Sequence, residues 1–136
     1  PGEPAVPLAK CASGGETARV MLAIKCVIAR RDGLPTVIFD EIDSGVSGKT
    51  SRKIGFCLQK AAAGAQIIAV THSAQIASLA SCHLLVQKQV INGRTASRIS
   101  EIKGEERENE IARILGGVQV TVAQRQAAKD MLSGKA

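Results

Sequence analysis

Acidic side chains stand directly after an apolar run in the first half of the chain. Residues 36–39 are a short β-favouring run, and Asp40, Glu41 and Asp43 follow it. Open α/β sheets bind their ligands at the carboxyl ends of their strands. One carboxylate there can hold Mg²⁺, which takes oxygen ligands and keeps several waters, and an adjacent carboxylate can orient a water molecule. The pattern indicates either such a site or a plain acidic turn.

Two further segments carry groups that suit an anion. His72 follows a second apolar run over 66–71. A parallel sheet would place it at the same edge as Asp40, where an imidazole can bond a phosphoryl oxygen or a water. Ser13-Gly14-Gly15-Glu16 opens a helical pattern, and a helix N-terminus bared by glycine offers free N–H groups. The plain alternatives are a loop histidine and an ordinary capped helix.

A fourth segment imitates a phosphate-binding loop. Gly48-Lys49-Thr50 matches the end of the pattern G-x-x-x-x-G-K-[ST], but Asp43 occupies the place of the first glycine. We therefore interpret the Gly/Ser-rich segment 44–48 as a flexible loop that leads into a helix, with Lys49 in solvent.

Composition narrows the class of protein. The 136 residues are 45% apolar and 22% charged, with a formal charge of +6, which indicates a globular domain and not a disordered tail. Two Phe and no Tyr or Trp argue against an aromatic platform for single-stranded nucleic acid. No apolar run reaches the roughly 20 residues that cross a bilayer. The start resembles no signal peptide, and its lack of an initiator Met suggests a fragment.

The cysteines give no metal or redox signal. They lie at positions 11, 26, 57 and 82, without a C-x-x-C pair. Three have apolar neighbours, so we expect buried thiols in a reducing cytoplasm.

Periodicity predicts the elements that position the acidic and histidine residues. After an extended lead-in over 1–12, Ser13 and Glu16 form a capping box for the first helix. That helix has one apolar face, made of Val20, Met21, Ile24, Val27 and Ile28. Buried strands over 36–39 and 66–71 flank a helix over 49–63. Its inner face comprises Ile54, Leu58, Ala61 and Ala62.

The second half changes pattern. A short helix over 74–80 precedes β-prone segments over 83–91 and 94–102, which flank Asn92-Gly93, the strongest two-residue hairpin signal. Helices over 105–115 and 121–132 follow. The order predicts an α/β fold with a mainly parallel sheet, flanking helices and a C-terminal β-hairpin.

The order of the motifs resembles the C-terminal half of an ABC-type ATPase head, a P-loop NTPase-like fold, over residues 13–73. A closer resemblance, to the SMC-like ATPases of bacterial double-strand break repair, spans nearly the whole chain. It is carried by Pro1-Gly2-Glu3-Pro4, Ala12-Ser13-Gly14-Gly15-Glu16, Arg19-Val20-Met21-Leu22-Ala23-Ile24-Lys25, Ile38-Phe39-Asp40-Glu41-Ile42-Asp43, Gly48, Thr71-His72, Gly93-Arg94-Thr95, Glu105-Glu106-Arg107 and Glu110-Ile111-Ala112-Arg113.

The resemblance implies ATP and Mg²⁺ as ligands and a role for each motif. Ser13-Gly14-Gly15-Glu16 would be the signature that caps the γ-phosphate of a second head's nucleotide. Asp40 would support Mg²⁺, Glu41 would polarise the attacking water, and His72 would sense the γ-phosphate. Such roles suit phosphoryl transfer, in which positioning and charge stabilisation dominate.

The loop after the acidic residues departs from the family pattern. The resemblance makes it the D-loop, composed of Asp43, Ser44, Gly45 and Ser47. Many heads of this type carry Asp where Ser47 stands, so Asp43 is an alternative candidate for the contact that crosses the dimer.

The resemblance also implies partners. The chain, 1–136, would be the C-terminal half of one head, with a lead-in over 1–12, a motif-bearing core over 13–82 and a terminal part over 83–136. The N-terminal half would supply Walker A, the glutamine loop and a coiled coil. A second head would dimerise with it when ATP binds, and DNA would bind the full-length protein. No membrane partner is expected, and the protein would be cytoplasmic and associated with the nucleoid.

Two other interpretations stay open. One is a different P-loop enzyme, such as a kinase, that uses Gly48-Lys49-Thr50. The other is a DNA- or protein-binding module without catalysis, supported by the positive charge. Its candidate residues are Arg30, Arg31, Arg52, Lys53, Lys88, Arg94 and Arg98.

We expect the isolated chain neither to bind ATP tightly nor to hydrolyse it, because its sequence contains no complete phosphate-binding loop. Calorimetric titration with Mg-ATP and a phosphate-release assay measure both properties. Lys49→Ala should leave any weak binding nearly intact. Robust turnover by the purified chain would contradict the resemblance, and loss of tight binding in Lys49→Ala would favour the P-loop enzyme.

Overall fold

The computed structural model describes residue 7 and residues 13–91, 93–117 and 119–134. Most of the expected lead-in, with Cys11, lies outside the described residues, and so does Asn92 of the hairpin turn. The chain divides into two compact units, residues 1–73 and residues 74–136. Among the described residues, no helix has the length and apolar character for a membrane crossing.

The first unit combines a parallel pair of strands with two helices. These are helix α1 (Gly14–Asp32), strand β1 (Thr36–Asp40), helix α2 (Gly48–Ala61) and strand β2 (Gln66–Val70). The two strands pair in parallel, from Thr36 opposite Gln66 to Asp40 opposite Val70. The predicted parallel arrangement is therefore confirmed, and both strands end at the same edge.

Local sequence fixes both ends of α1. The Ser13 hydroxyl accepts a hydrogen bond from the Glu16 amide at 3.3 Å, and the Glu16 carboxylate accepts one from the Ser13 amide at 2.8 Å. This reciprocal pair is the predicted capping box. The helix ends at Gly33, whose φ of +62° is left-handed. Such a φ favours glycine, and it turns the Gly33 N–H back onto the Ala29 carbonyl.

The predicted apolar face of α1 is mostly exposed in this chain. Its five members are between 39% and 66% exposed: Val20, Met21, Ile24, Val27 and Ile28. The strands show the same one-sidedness, because β1 buries Val37 and Phe39 but leaves Ile38 60% exposed. The expectation that β1 is covered on both faces is therefore wrong for the described residues of this unit. Buried and exposed residues alternate along β1, as they do in a strand with one covered face.

Helix α2 has a narrower inner face than the sequence predicts. Its buried residues are Ser51, Ile54, Gly55 and Leu58. They recur every three or four positions, as one face of a helix requires. The helix stops at Ala61, so Ala62 is exposed and the prediction that it faces inward is wrong.

The second unit consists of a hairpin and three helices. It contains helix α3 (Ala74–Ala77), strands β3 (Leu84–Ile91) and β4 (Arg94–Glu101), and helices α4 (Gly104–Gly116) and α5 (Val122–Leu132). The strands pair antiparallel with Ile91 opposite Arg94, which confirms the predicted two-residue hairpin. The four described strands thus form one parallel and one antiparallel pair.

Small side chains form the core of the second unit. Five buried residues pack together: Ala74, Ala77, Ile111, Ala112 and Ala128. Alanines at these positions let α3, α4 and α5 approach closely around Ile111. Arg107 adds a polar tie, since its guanidinium donates to the carbonyls of Ala77 and Ser78 at 3.2 Å and thereby satisfies the end of α3.

His83 makes the stability of the second unit depend on pH. Burial lowers the pKa of His83 below its ordinary 6.5, and the neighbouring Arg107 charge lowers it further, against a smaller opposing effect of Glu110. The unfolded chain therefore takes up a proton before the folded chain does. Stability is highest above pH 6.5 and is lost as the pH falls below it.

We expect the melting temperature to fall by a few degrees between pH 7.5 and pH 5.5, and His83→Gln to remove most of that fall. Circular dichroism melts of both proteins in matched buffers provide the measurement. An equal fall in both proteins would assign the pH dependence to other groups.

Candidate functional site

A strained turn follows β1 at the sheet edge. Glu41 has a φ of +48° and is the single described residue other than glycine with a positive φ. Its amide donates to the Val70 carbonyl at 3.2 Å, and its carbonyl accepts from the Ser44 amide at 3.1 Å. A non-glycine residue in this region costs about 1–3 kcal/mol and is typical of functional sites. Asp40 and Glu41, which are adjacent in the sequence, are both exposed at this turn.

Strand register brings the acidic turn and the histidine segment to one edge. Asp40 lies opposite Val70, and His72 is two residues beyond Val70. The His72 side chain is 78% exposed. Asp40, Glu41 and His72 thus stand exposed at the same end of the parallel pair, where open sheets bind their ligands.

Asp43 is the buried centre of this edge. It is only 4% exposed. One carboxylate oxygen, Oδ2, accepts from the Thr71 hydroxyl at 2.8 Å and from the His72 amide at 3.0 Å. The His72 ring nitrogen Nδ1 lies 3.3 Å from the same oxygen. Sequence analysis placed Asp43 in the D-loop and named Thr71-His72 as a motif, but gave Thr71 no role, although its position at a strand end was a usable signal.

Gly15, in the first turn of α1, lies close to the same turn. A Cβ added at Gly15 would lie 3.3 Å from the Gly45 carbonyl oxygen and 3.5 Å from that of Ser44. Gly45 has a φ of +68°, which favours glycine at that position also. The structure therefore brings Gly15 at the start of α1 next to the loop that carries Asp43.

The capping box uses two residues of the Ser13-Gly14-Gly15-Glu16 segment, because Ser13 and Glu16 are hydrogen-bonded to each other. The Glu16 carboxylate is bonded by the amide and the hydroxyl of Ser13, and these two bonds hold the pKa of Glu16 below its ordinary value. The N–H groups of Gly14 and Gly15 remain the donors that α1 can offer to an anion.

The rest of the loop forms the start of α2. Ser47 is its N-cap without a side-chain cap bond, and its hydroxyl lies 3.4 Å from that of Thr50. Lys49 is exposed in the first turn, as the sequence indicates.

The donor set at the edge suits a shared cation site. No group of three or more His, Cys, Asp or Glu side chains within the described ranges could enclose a metal ion. Asp40, the last residue of β1, and Glu41, directly after it, offer exposed carboxylates. This arrangement fits Mg²⁺, which proteins usually hold by one or two carboxylates together with substrate phosphates.

The cysteines are less buried than expected. Cys57 and Cys82 are exposed and Cys26 is half-buried, so the prediction of a buried thiol is wrong for Cys57, whose neighbours Phe56 and Leu58 are apolar. Cys57 lies outside the buried positions of α2. Burial, and then the nearby Cys57, raise the pKa of the Cys26 thiol, which makes it a poor nucleophile at neutral pH.

Comparison with solved structures defines the class of fold. A structure described as "Structural biochemistry of ATP-driven dimerization and DNA stimulated activation of SMC ATPases" matches 87% of this chain and 70% of its own, with a TM-score of 0.63 and 19% identity. The SMC head domain from Thermotoga maritima matches 76% of this chain and 38% of its own, with a TM-score of 0.54 and 27% identity. The chain has the α/β fold of the C-terminal lobe of an SMC-type ATPase head.

Sequence comparison then points to one kind of SMC-like protein. DNA repair protein RecN of Halalkalibacterium halodurans is 41% identical over 132 residues, 97% of this chain. RecN of Streptomyces coelicolor is 45% identical over 132 residues, and RecN of Bacillus subtilis is 40% identical over 131. The chain spans only 23% of the length of these relatives. No family model matches it. The chain is similar in sequence to one segment of those proteins.

The two signature glycines should respond differently to substitution by alanine. Gly14→Ala adds a methyl group with no atom within 4 Å, so it should stabilise the chain by up to about 1 kcal/mol through helix propensity. Gly15→Ala should gain clearly less, because the added Cβ would lie 3.3 Å from both the Gly45 carbonyl oxygen and the Arg19 guanidinium, which must shift slightly. Urea unfolding of both variants measures the difference. Equal stabilisation would show that the turn does not press on Gly15.

Proposed function

We propose that this chain is the C-terminal part of the ATPase head of a RecN-type DNA repair protein. The observation that carries the proposal is the register of β1 and β2, which puts Asp40, Glu41 and His72 at one edge of an SMC-type head fold. The similarity to RecN over nearly the whole chain supports the DNA repair context. ATP is the proposed substrate and Mg²⁺ the proposed metal of the complete protein.

The acidic turn would perform the hydrolytic part of the reaction. Asp40 would hold Mg²⁺ at the strand end, and the bound ion would neutralise charge on the phosphates. Glu41 would orient the attacking water and take its proton. The left-handed backbone of Glu41 supports this division of labour, because it turns the chain sharply between two neighbouring acids.

His72 and the signature would hold the γ-phosphate from two sides. His72 would contact it from the same chain. Ser13, Gly14 and Gly15 would contact the nucleotide of a second head, with Glu16 fixing Ser13 at the helix start. Under this proposal neither head completes a site alone, so ATP binding would drive two heads together.

The exposed apolar surface of the first unit supports the proposal that another part of the longer protein covers it. Six apolar side chains of this unit are exposed, five on α1 and one on β1: Val20, Met21, Ile24, Val27, Ile28 and Ile38. Exposed apolar patches of this kind usually mark contact surfaces. The N-terminal half of the head, with Walker A and the coiled coil, is the proposed partner. DNA would bind the assembled protein in the bacterial cytoplasm, at the nucleoid.

Glu41→Gln tests the proposed chemistry in the complete protein. The amide keeps the shape of the side chain but cannot accept the water's proton, so ATP binding should persist while hydrolysis falls by about 100-fold or more. Filter binding of ATP and steady-state phosphate release give the two quantities.

Glu105→Gln is the matched control. Glu105 is an exposed glutamate in the first turn of α4, in the second unit. It should leave both ATP binding and hydrolysis near the wild-type values. Wild-type turnover by Glu41→Gln would remove Glu41 from the proposed site, and an equal loss in both variants would indicate a general defect.

A further inference from the structure

The edge of the parallel pair contains a buried carboxylate, Asp43, whose side-chain hydrogen bonds within the described residues run to the segment after β2. Asp43 Oδ2 accepts from the Thr71 hydroxyl at 2.8 Å and from the His72 amide at 3.0 Å. The Thr71 hydroxyl oxygen accepts in turn from the Ser73 amide at 3.0 Å. Three consecutive residues, 71–73, are therefore held by one carboxylate and one hydroxyl. The other carboxylate oxygen, Oδ1, is buried and has no hydrogen-bond partner among the described residues.

The Nδ1 atom of the His72 ring, and not Nε2, is the nitrogen that faces Asp43 Oδ2. Nδ1 lies 3.3 Å from Asp43 Oδ2, while the side chain as a whole is 78% exposed. A lone pair on Nδ1 would face a carboxylate oxygen and be repelled by it, whereas a proton on Nδ1 is attracted. The charge of Asp43 therefore favours the Nδ1–H form of the neutral ring, and the remaining nitrogen, Nε2, keeps its lone pair.

The Asp43 oxygen stays beside the ring because the Asp43 side chain is buried and hydrogen-bonded. Its side chain is 2% exposed, and two backbone or hydroxyl donors fix the oxygen that faces the ring. Charge-assisted bonds of this kind exceed neutral ones in strength. An exposed histidine without such a neighbour would rotate and exchange its tautomers freely.

We propose that Asp43 is a positioning residue for His72, which it holds in the Nδ1–H form so that Nε2 is the nitrogen available to a ligand. The role of Nε2 toward a phosphate rests on the proposed function, whereas the tautomer is inferred from the contact between His72 and Asp43. A neutral His72 would accept a hydrogen bond at Nε2 from a water molecule. Only a doubly protonated ring would donate one from Nε2 to a phosphoryl oxygen, with Asp43 balancing the added charge.

Nitrogen-15 NMR of the labelled 136-residue chain tests the assignment directly. At a pH where the ring is neutral, long-range proton–nitrogen correlations of His72 should show a protonated Nδ1 and an unprotonated Nε2. Asp43→Asn keeps the size of the side chain and removes its charge, so the fraction of His72 in the Nδ1–H form should fall, although the amide oxygen can still accept from Nδ1. A wild-type His72 in the Nε2–H form would overturn the proposal without any variant, and so would an unchanged His72 tautomer in Asp43→Asn.

Two controls separate positioning from folding. Thr71→Val removes one donor to Asp43 but leaves the carboxylate beside the ring, so the tautomer should stay Nδ1–H. His83 lies in the other unit, so its signals should not change in Asp43→Asn. If the NMR signals of both His72 and His83 change in Asp43→Asn, that variant is unfolded, and Thr71→Val becomes the deciding variant. Loss of the Nδ1–H form in a folded Thr71→Val chain would overturn the proposal.

The tautomer and the proposed ATPase function can fail separately. The NMR result needs no nucleotide and stands or falls with the geometry. In the complete protein, Asp43→Asn should reduce hydrolysis at least tenfold and change its pH profile while ATP binding persists. An unchanged pH profile alongside a confirmed tautomer would count against the consequence drawn for Nε2, and absence of turnover in the wild-type protein would count against the proposed function alone.

Discussion

The buried carboxylate of Asp43 is the interaction on which the sheet edge depends. A charged side chain with so little exposure is costly unless it is hydrogen-bonded, and here the segment after β2 supplies two donors to Oδ2 while Oδ1 has none among the described residues. The strands bring the turn after β1 near the segment after β2, and the hydrogen bonds of Asp43 join the two. Glu41 and His72 can remain exposed and still keep defined positions, since the residues beside them are anchored.

Much of the fold follows from short-range patterns in the sequence. The capping box of Ser13 and Glu16, the hairpin around residues 91–94 and the parallel order of β1 and β2 were all predictable, because each depends on residue types at fixed spacings. The capping box at Thr121 and Gln124 carries the same signal, and it fixes the start of α5. Sequence also placed Asp40, Glu41 and His72 at strand ends, which was enough to bring them to one edge.

The remaining features arise from tertiary contacts that no local pattern encodes. The bond between Asp43 and Thr71 joins residues far apart in sequence, and the close approach of Gly15 to Gly45 depends on how α1 lies on the turn. The exposure of Ile38 was mispredicted because a run of apolar residues reports what a strand can bury, not what the surrounding chain supplies. Cys57 was misjudged for the same reason.

The division into two units has a consequence for how the chain folds. In the second unit the hairpin and the pair of helices α4 and α5 join elements adjacent in sequence, and local contacts of this kind form rapidly. In the first unit, Thr36 must find Gln66 across a separation of 30 residues. Loop closure makes that step slower. Residues 74–136 should thus gain structure early, and the edge that carries Asp43 should be among the last parts to assemble.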